Sequence, residues 1–171
     1  ALKKERLDVR WTPQENRHLT LVFLGDIPAR LVSHVCECAM AVAKAFSPIR
    51  LTLKGAGVFA SIRQARVLWV GVQNSDHQLG DFRRRLLSEL KQVEGLGFTP
   101  ETRTFKRHLT IGRFLKPMEP KRLWAAIETQ TNFETLEFTV SEAHVVQSTL
   151  KASGAVYDIL GVASFTQLPD L

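Results

Sequence analysis

The chain has 171 residues, 44% of them apolar and 23% charged, which is enough to bury a sizeable core and excludes a disordered chain. No apolar run approaches the roughly 18 residues that cross a bilayer, and the Lys-rich start is not followed by a secretory apolar segment, so a soluble cytoplasmic protein without membrane association is expected. Twenty-three Lys and Arg against 17 Asp and Glu give a net charge of +6, which favours a phosphate-bearing partner.

Residues 1–6 read as the last turn of a helix, its cationic end suited to the helix dipole. Residues 7–11 alternate apolar and polar like a half-buried strand, and residues 12–16 form a turn around Pro13. Residues 17–24 read as a strand carrying His18-Leu19-Thr20-Leu21, with His18 and Thr20 on one face and Leu19, Leu21 and Phe23 on the other. Gly25 and Asp26 end it, and Pro28 falls in the first turn of a helix whose buried stripe is Leu31, Val35, Ala39, Val42 and Phe46. Cys36 and Cys38 lie two apart on that helix, where side chains do not face each other, so neither a disulfide between them nor a zinc site built on them is expected.

Residues 48–59 alternate through Ile49, Leu51 and Leu53 and then reach Gly55 and Gly57, a pattern for a bulge or a close backbone approach. Residues 66–73 are almost continuously apolar, and the short polar link before them predicts an antiparallel hairpin with Trp69 in the core. Ser75 or Asp76 caps the next helix, whose stripe is Leu79, Phe82, Leu86, Leu90 and Val93 and whose end is marked by Gly95 and Gly97. Its Arg83-Arg84-Arg85 run spreads around the helix, as a solvated face does. Residues 107–115 form a second strand carrying His108-Leu109-Thr110-Ile111. A short helix follows with Leu123, Trp124 and Ile127 toward the core, and residues 133–147 and 155–165 are strands. His34, His77 and His144 have no threonine two residues on and are read as exposed or structural.

This order, motif strand, helix, hairpin, helix and then motif strand, helix, strands, looks like an imperfect internal duplication. It predicts an α+β fold over residues 1–171, a single bilobal domain with mainly antiparallel sheets, in which the two His/Thr strands line a central cleft.

Imidazole titrates near neutrality, so two histidines suit a reaction in which one proton leaves a nucleophile while another reaches a leaving oxygen. Phosphodiester cleavage is such a reaction, and each Thr can donate a hydrogen bond to a non-bridging phosphate oxygen. A divalent metal is the rival use of paired histidines, but such sites want carboxylates or a third histidine nearby and neither motif has one, so no metal is expected.

Residues 16–25, with His18-Leu19-Thr20-Leu21, and residues 107–114, with His108-Leu109-Thr110-Ile111, resemble the two HxTx motifs of the 2H phosphoesterase superfamily. Within it the chain is most similar to the RNA 2',3'-cyclic phosphodiesterases, also called 2'-5' RNA ligases, a likeness that takes in Arg10-Trp11 and residues 67–71. The resemblance implies that His18 is the proton donor to the leaving ribose oxygen and His108 the acceptor that activates water. It implies that Thr20, Thr110 and Arg113 hold the phosphate, that the product is a 2'-phosphomonoester end, that the reverse direction joins 2',5' linkages, and that no cofactor is needed. The partner is then an RNA with a 2',3'-cyclic phosphate end, and a monomer is expected. Family members begin with an apolar strand and helix, which leaves open whether part of the first lobe precedes Ala1. Arg113 has the opposite strand parity to His108 and reaches the phosphate only if the strand bulges after Thr110, for which Gly112 is the candidate. Two other readings stay open: a phosphodiesterase acting on small cyclic nucleotides or 2',5'-oligoadenylates, and a non-catalytic RNA- or nucleotide-binding module.

Overall fold

The structure, a computed structural model, describes residues 2, 7–100, 104–130, 132–135, 137–152 and 154–166. The helical turn expected over residues 1–6 falls almost wholly outside them. In chain order the elements are β1 (Val9–Trp11), α1 (Val32–Ala43), β2 (Ile49–Phe59), β3 (Val67–Gln73), α2 (Gln78–Leu90), β4 (His108–Phe114), α3 (Pro120–Glu128), β5 (Phe138–Val140), β6 (Glu142–Lys151) and β7 (Gly154–Ser164). The chain is α+β with antiparallel strand pairs, and it divides into two compact units. The first comprises Ala1–Thr20, Leu51–Gln73 and Thr104–Glu137; the second comprises Leu21–Arg50, Asn74–Arg103 and Phe138–Leu171.

In the first unit the strands neighbour one another in the order β1-β4-β3-β2. The expected hairpin is β2 and β3, and its register slips between Lys54 and Ala56. Gly55 is the extra residue, at φ +65°, a conformation that L side chains rarely adopt. Gly57 allows a close approach: a Cβ there would lie 2.6 Å from Cη2 and 2.8 Å from Cε2 of Trp69. One side of the sheet buries Val9, Leu68 and Ala126, joined by Trp11, Ile111 and Phe114. Helix α3 adds Leu123 and Ile127 and is capped by Glu119, whose carboxylate accepts from the Lys121 and Arg122 amides at 2.9 and 2.7 Å, satisfying two otherwise orphaned donors. Burial of Leu68 and Leu123, both fully enclosed, is worth roughly 1.5–3 kcal/mol each. Trp124 does not join them. Leu123, Ala126 and Ile127 define the buried stripe, so the next position turns about 100° away and Trp124 is 57% exposed.

In the second unit Phe82 of α2 is completely buried and meets Phe46 and Phe165 edge-on, with ring centroids 5.4 and 5.1 Å away, the geometry that aromatic quadrupoles prefer. The stripe of α1 is buried at Leu31, Val35, Ala39 and Val42. Helix α2 begins later than the expected Ser75 or Asp76 cap, because His77 takes a left-handed conformation at φ +62°. Of its first amides, Gln78 N–H donates to Asp76 Oδ1 at 3.2 Å and Leu79 N–H, from further back, to Asn74 Oδ1 at 3.0 Å. The arginine run is a paired surface, with Arg84 on Asp81, Arg85 on Glu89 at 3.0 Å and Arg83 Nε donating to the Leu21 carbonyl at 2.8 Å. Strands β6 and β7 form a long hairpin in which Leu160 is an extra, bulged residue.

Both cysteines are free. Burial first, and then the Glu37 carboxylate, push the Cys36 thiol up; burial, Glu89 and Glu37 do the same to Cys38. Neither is a poised nucleophile. Cys36 is a packing residue, its thiol donating to the Leu160 carbonyl at 3.8 Å, and a Cβ at Gly161 would come within 2.6 Å of its sulfur. Among the described residues no helix is long and apolar enough to cross a membrane.

Candidate active site

The histidine and threonine of both motifs belong to the first unit. The second is built as expected, on a strand, and its register explains how the side chains line up. Along β4, His108 pairs with Gly71 and Thr110 with Trp69, but the next pairing is Gly112 with Leu68, followed by Arg113 with Val67. Two residues advance on β4 while one advances on β3, so Ile111 is the extra residue of a β-bulge. Residues directly opposite each other across a ladder share a face. Gly71, Trp69 and Val67 alternate on one face of β3, and His108, Thr110 and Arg113 therefore share that face too. The parity conflict in the sequence is resolved by a bulge after Thr110, one residue earlier than the Gly112 expected to carry it. Gly112 serves packing instead, since it is buried and a Cβ there would lie 3.2 Å from the Arg10 carbonyl and 3.6 Å from Trp11 Cε3.

His108 is fixed from two sides. Its Nδ1 lies 2.6 Å from the Lys106 carbonyl oxygen, and its ring stands edge-on to Phe59 with centroids 4.6 Å apart and planes at 87°. Phe59 in turn contacts Trp69 at 5.6 Å and lies 6.0 Å beneath the Lys106 ammonium. Sequence spacing carries no sign of the Phe59 contact, because it joins two strands far apart along the chain.

The first motif departs from expectation. Residues 17–24 carry no strand assignment, although exposure still alternates, with His18 and Thr20 outward and Leu19 and Leu21 half-buried. The local hydrogen bonds run to side chains and a tight turn instead of a ladder: Asn16 and Arg17 N–H bond back to Pro13 and Gln14, and Arg17 Nε donates to the Thr12 carbonyl at 3.1 Å. Phe23, expected on the buried side, is 71% exposed. The segment follows closely on β1, which is laddered to β4 through Val9, Arg10 and Trp11.

His18 nevertheless repeats the setting of His108. Its Nδ1 lies 2.9 Å from the carbonyl oxygen of Asn16, two residues upstream, just as His108 Nδ1 meets that of Lys106. A carbonyl oxygen has no proton to give, so in each ring Nδ1 carries the hydrogen and Nε2 is the nitrogen turned away from that carbonyl. Neutral, each ring presents a lone pair at Nε2; charged, it presents an N–H there. Among the described residues no three His, Cys, Asp or Glu side chains cluster as a metal ion would require.

Similarity to known proteins extends over most of the chain. The sequence profile of the 2'-5' RNA ligase superfamily matches residues 2–151. An RNA 2',3'-cyclic phosphodiesterase of Methanothermobacter thermautotrophicus is 32% identical over 157 residues, covering 92% of this chain and 83% of that protein. One from Thermotoga maritima is also 32% identical, over 165 residues, covering 96% and 83%. Among solved structures, TT0787 of Thermus thermophilus superimposes with a TM-score of 0.73 at 25% identity, covering 94% of this chain and 84% of that one. Escherichia coli LigT complexed with 3'-AMP has the same fold, with a TM-score of 0.68 at 23% identity over 94% and 83%. Taken with the two His-x-Thr segments, these matches show that the chain belongs to the 2'-5' RNA ligase superfamily.

Proposed function

We propose that this protein is a metal-independent phosphodiesterase that opens RNA 2',3'-cyclic phosphate ends to 2'-phosphomonoesters. The observation that carries the reading is the matched pair of histidines, each with Nδ1 tied to a carbonyl two residues upstream, Nε2 left for the reaction and a threonine two residues on. The names of the relatives support the substrate.

Water attacks phosphorus and loses its proton to Nε2 of neutral His108, while the bond from phosphorus to the 3' oxygen breaks and that oxygen takes the Nε2 proton of charged His18. The assignment of donor to His18 and acceptor to His108 follows the family resemblance. Thr20 and Thr110 donate to the non-bridging oxygens, and Arg113, brought to the same face as His108 and Thr110 by the bulge, neutralises the charge that builds there. With the 5'-hydroxyl of a second strand attacking phosphorus in place of water, the same proton transfers and the same loss of the 3' oxygen join a 2',5' linkage, and their reverse cleaves it. The two free thiols suit a reducing compartment, and we place the protein in the cytoplasm.

The test is turnover of an oligonucleotide ending in a 2',3'-cyclic phosphate, in EDTA and across pH. A bell-shaped profile, undiminished activity in chelator, and losses of at least about a hundredfold in His18→Ala and His108→Ala are expected. Full activity in either variant, or a strict need for added metal, would sink the proposal.

A further inference from the structure

The ladder that sets β1 against β4 places Arg10 directly opposite Arg113. Opposite residues share a face, so Arg10 stands on the same side of the sheet as His108, Thr110 and Arg113. Both arginines are exposed, and neither makes a hydrogen bond or ion pair to any described residue. Some other cations of the chain are paired with acids: Lys54 with Glu134, Arg84 with Asp81, Arg85 with Glu89. Like charges directly opposite on neighbouring strands oppose folding. Two arginines whose backbones are one strand spacing apart, about 4.8 Å, and whose side chains pair with no acid among the described residues, form a place where an anion relieves a repulsion built into the sheet.

A cyclic phosphate has only two non-bridging oxygens, and Thr20, Thr110 and the forked donors of Arg113 already suffice for them. Arg10 is surplus to that group and lies one strand further out, on a strand that follows β4 in the sheet order. We propose that Arg10 binds the next phosphate of the strand, the one on the 5' side of the terminal ribose, and so sets the preference for an RNA end over a mononucleotide. This inference rests on the cyclic-phosphodiesterase reading above.

The test compares the parent with Arg10→Gln on a cyclic-phosphate-ended oligonucleotide and on the matching nucleoside 2',3'-cyclic phosphate. The ratio of kcat/KM on the oligonucleotide to kcat/KM on the mononucleotide is expected to fall roughly tenfold, the loss carried by KM. The slope of log KM against log salt should flatten by about 0.7, the share of one single-strand phosphate. Arg10→Lys should restore part of the ratio, and thermal stability should not fall, since a like-charge pair is removed in Arg10→Gln. An equal loss on both substrates would place Arg10 on the scissile phosphate, a drop in Tm would make it structural, and an unchanged ratio would leave it without a role; each overturns the proposal. If the parent turned over neither substrate, the functional reading would fail by itself. Binding of a labelled oligonucleotide with a 3'-phosphate would then decide Arg10 separately: unchanged affinity and salt slope in Arg10→Gln would overturn it, and a weaker, flatter response would uphold it.

Discussion

The Nδ1 of each motif histidine lies against a carbonyl oxygen two residues upstream, so the backbone itself places the proton of a neutral ring on Nδ1. The same contact serves a neutral ring and a charged one, since Nδ1 carries a hydrogen in both. The other reactive residue types of the chain are placed differently. Cys36 and Cys38 are raised above the ordinary thiol range, by burial before anything else, so at any given pH a smaller fraction is thiolate than in a free cysteine. Alkylation of the native protein by iodoacetamide should therefore trace a rate-versus-pH curve displaced to higher pH than that of a cysteine peptide. A curve displaced to lower pH would contradict the environment described for both thiols.

Elements in this chain are shaped by glycine where two backbones crowd, and much of that is legible in the sequence. Gly55 and Gly57 mark a bulge and a close approach by residue type alone, and both exist. An alanine at position 57 must displace a rigid indole, not the tip of a flexible chain. Overpacking of this kind costs about 1–3 kcal/mol, so Gly57→Ala should lower Tm by roughly 2–10 °C in a thermal melt, with Trp69 fluorescence altered; an unshifted melt would show that the indole has another position to occupy. Other elements are not legible, for physical reasons. Residues 17–24 alternate as a strand does, but alternation reports which side is wet and cannot report a ladder partner. The start of α2 is hidden because Asn74, five positions before Leu79, bonds its amide, a reach longer than the usual capping offset of two or three residues. At Trp124 size points to the core, whereas the turn angle from Leu123 decides the direction of the side chain.

Across the whole molecule the excess of six positive charges acts on any polyanion before a particular side chain does. The KM for a cyclic-phosphate-ended oligonucleotide should rise with salt, and for a single strand the log–log slope counts the phosphates engaged at about 0.7 each. A slope near zero would mean that the basic surface does not take part. The α+β class and antiparallel pairing follow from the order of apolar patterns, and the candidate site from a doubled four-residue motif. The division into two units of three segments each does not, because each unit is closed by contacts between residues distant in sequence.

The Ile111 bulge gives β4 a reading frame. Before it, even-numbered side chains share the face of His108; after it, odd-numbered ones do, so the His-x-Thr-x-x-Arg spacing puts all three named side chains on one face. Identity at position 111 then matters less than the number of residues around it. Ile111→Val should leave kcat/KM within a few-fold of the parent, while insertion of one residue after Ile111 should turn Arg113 to the Leu68 side of the sheet and expose Phe114, lowering kcat/KM on the order of a hundredfold. If the insertion and the substitution behaved alike, the frame would have no bearing on catalysis. Within this strand the number of residues after Thr110 decides which side chains share the face of His108.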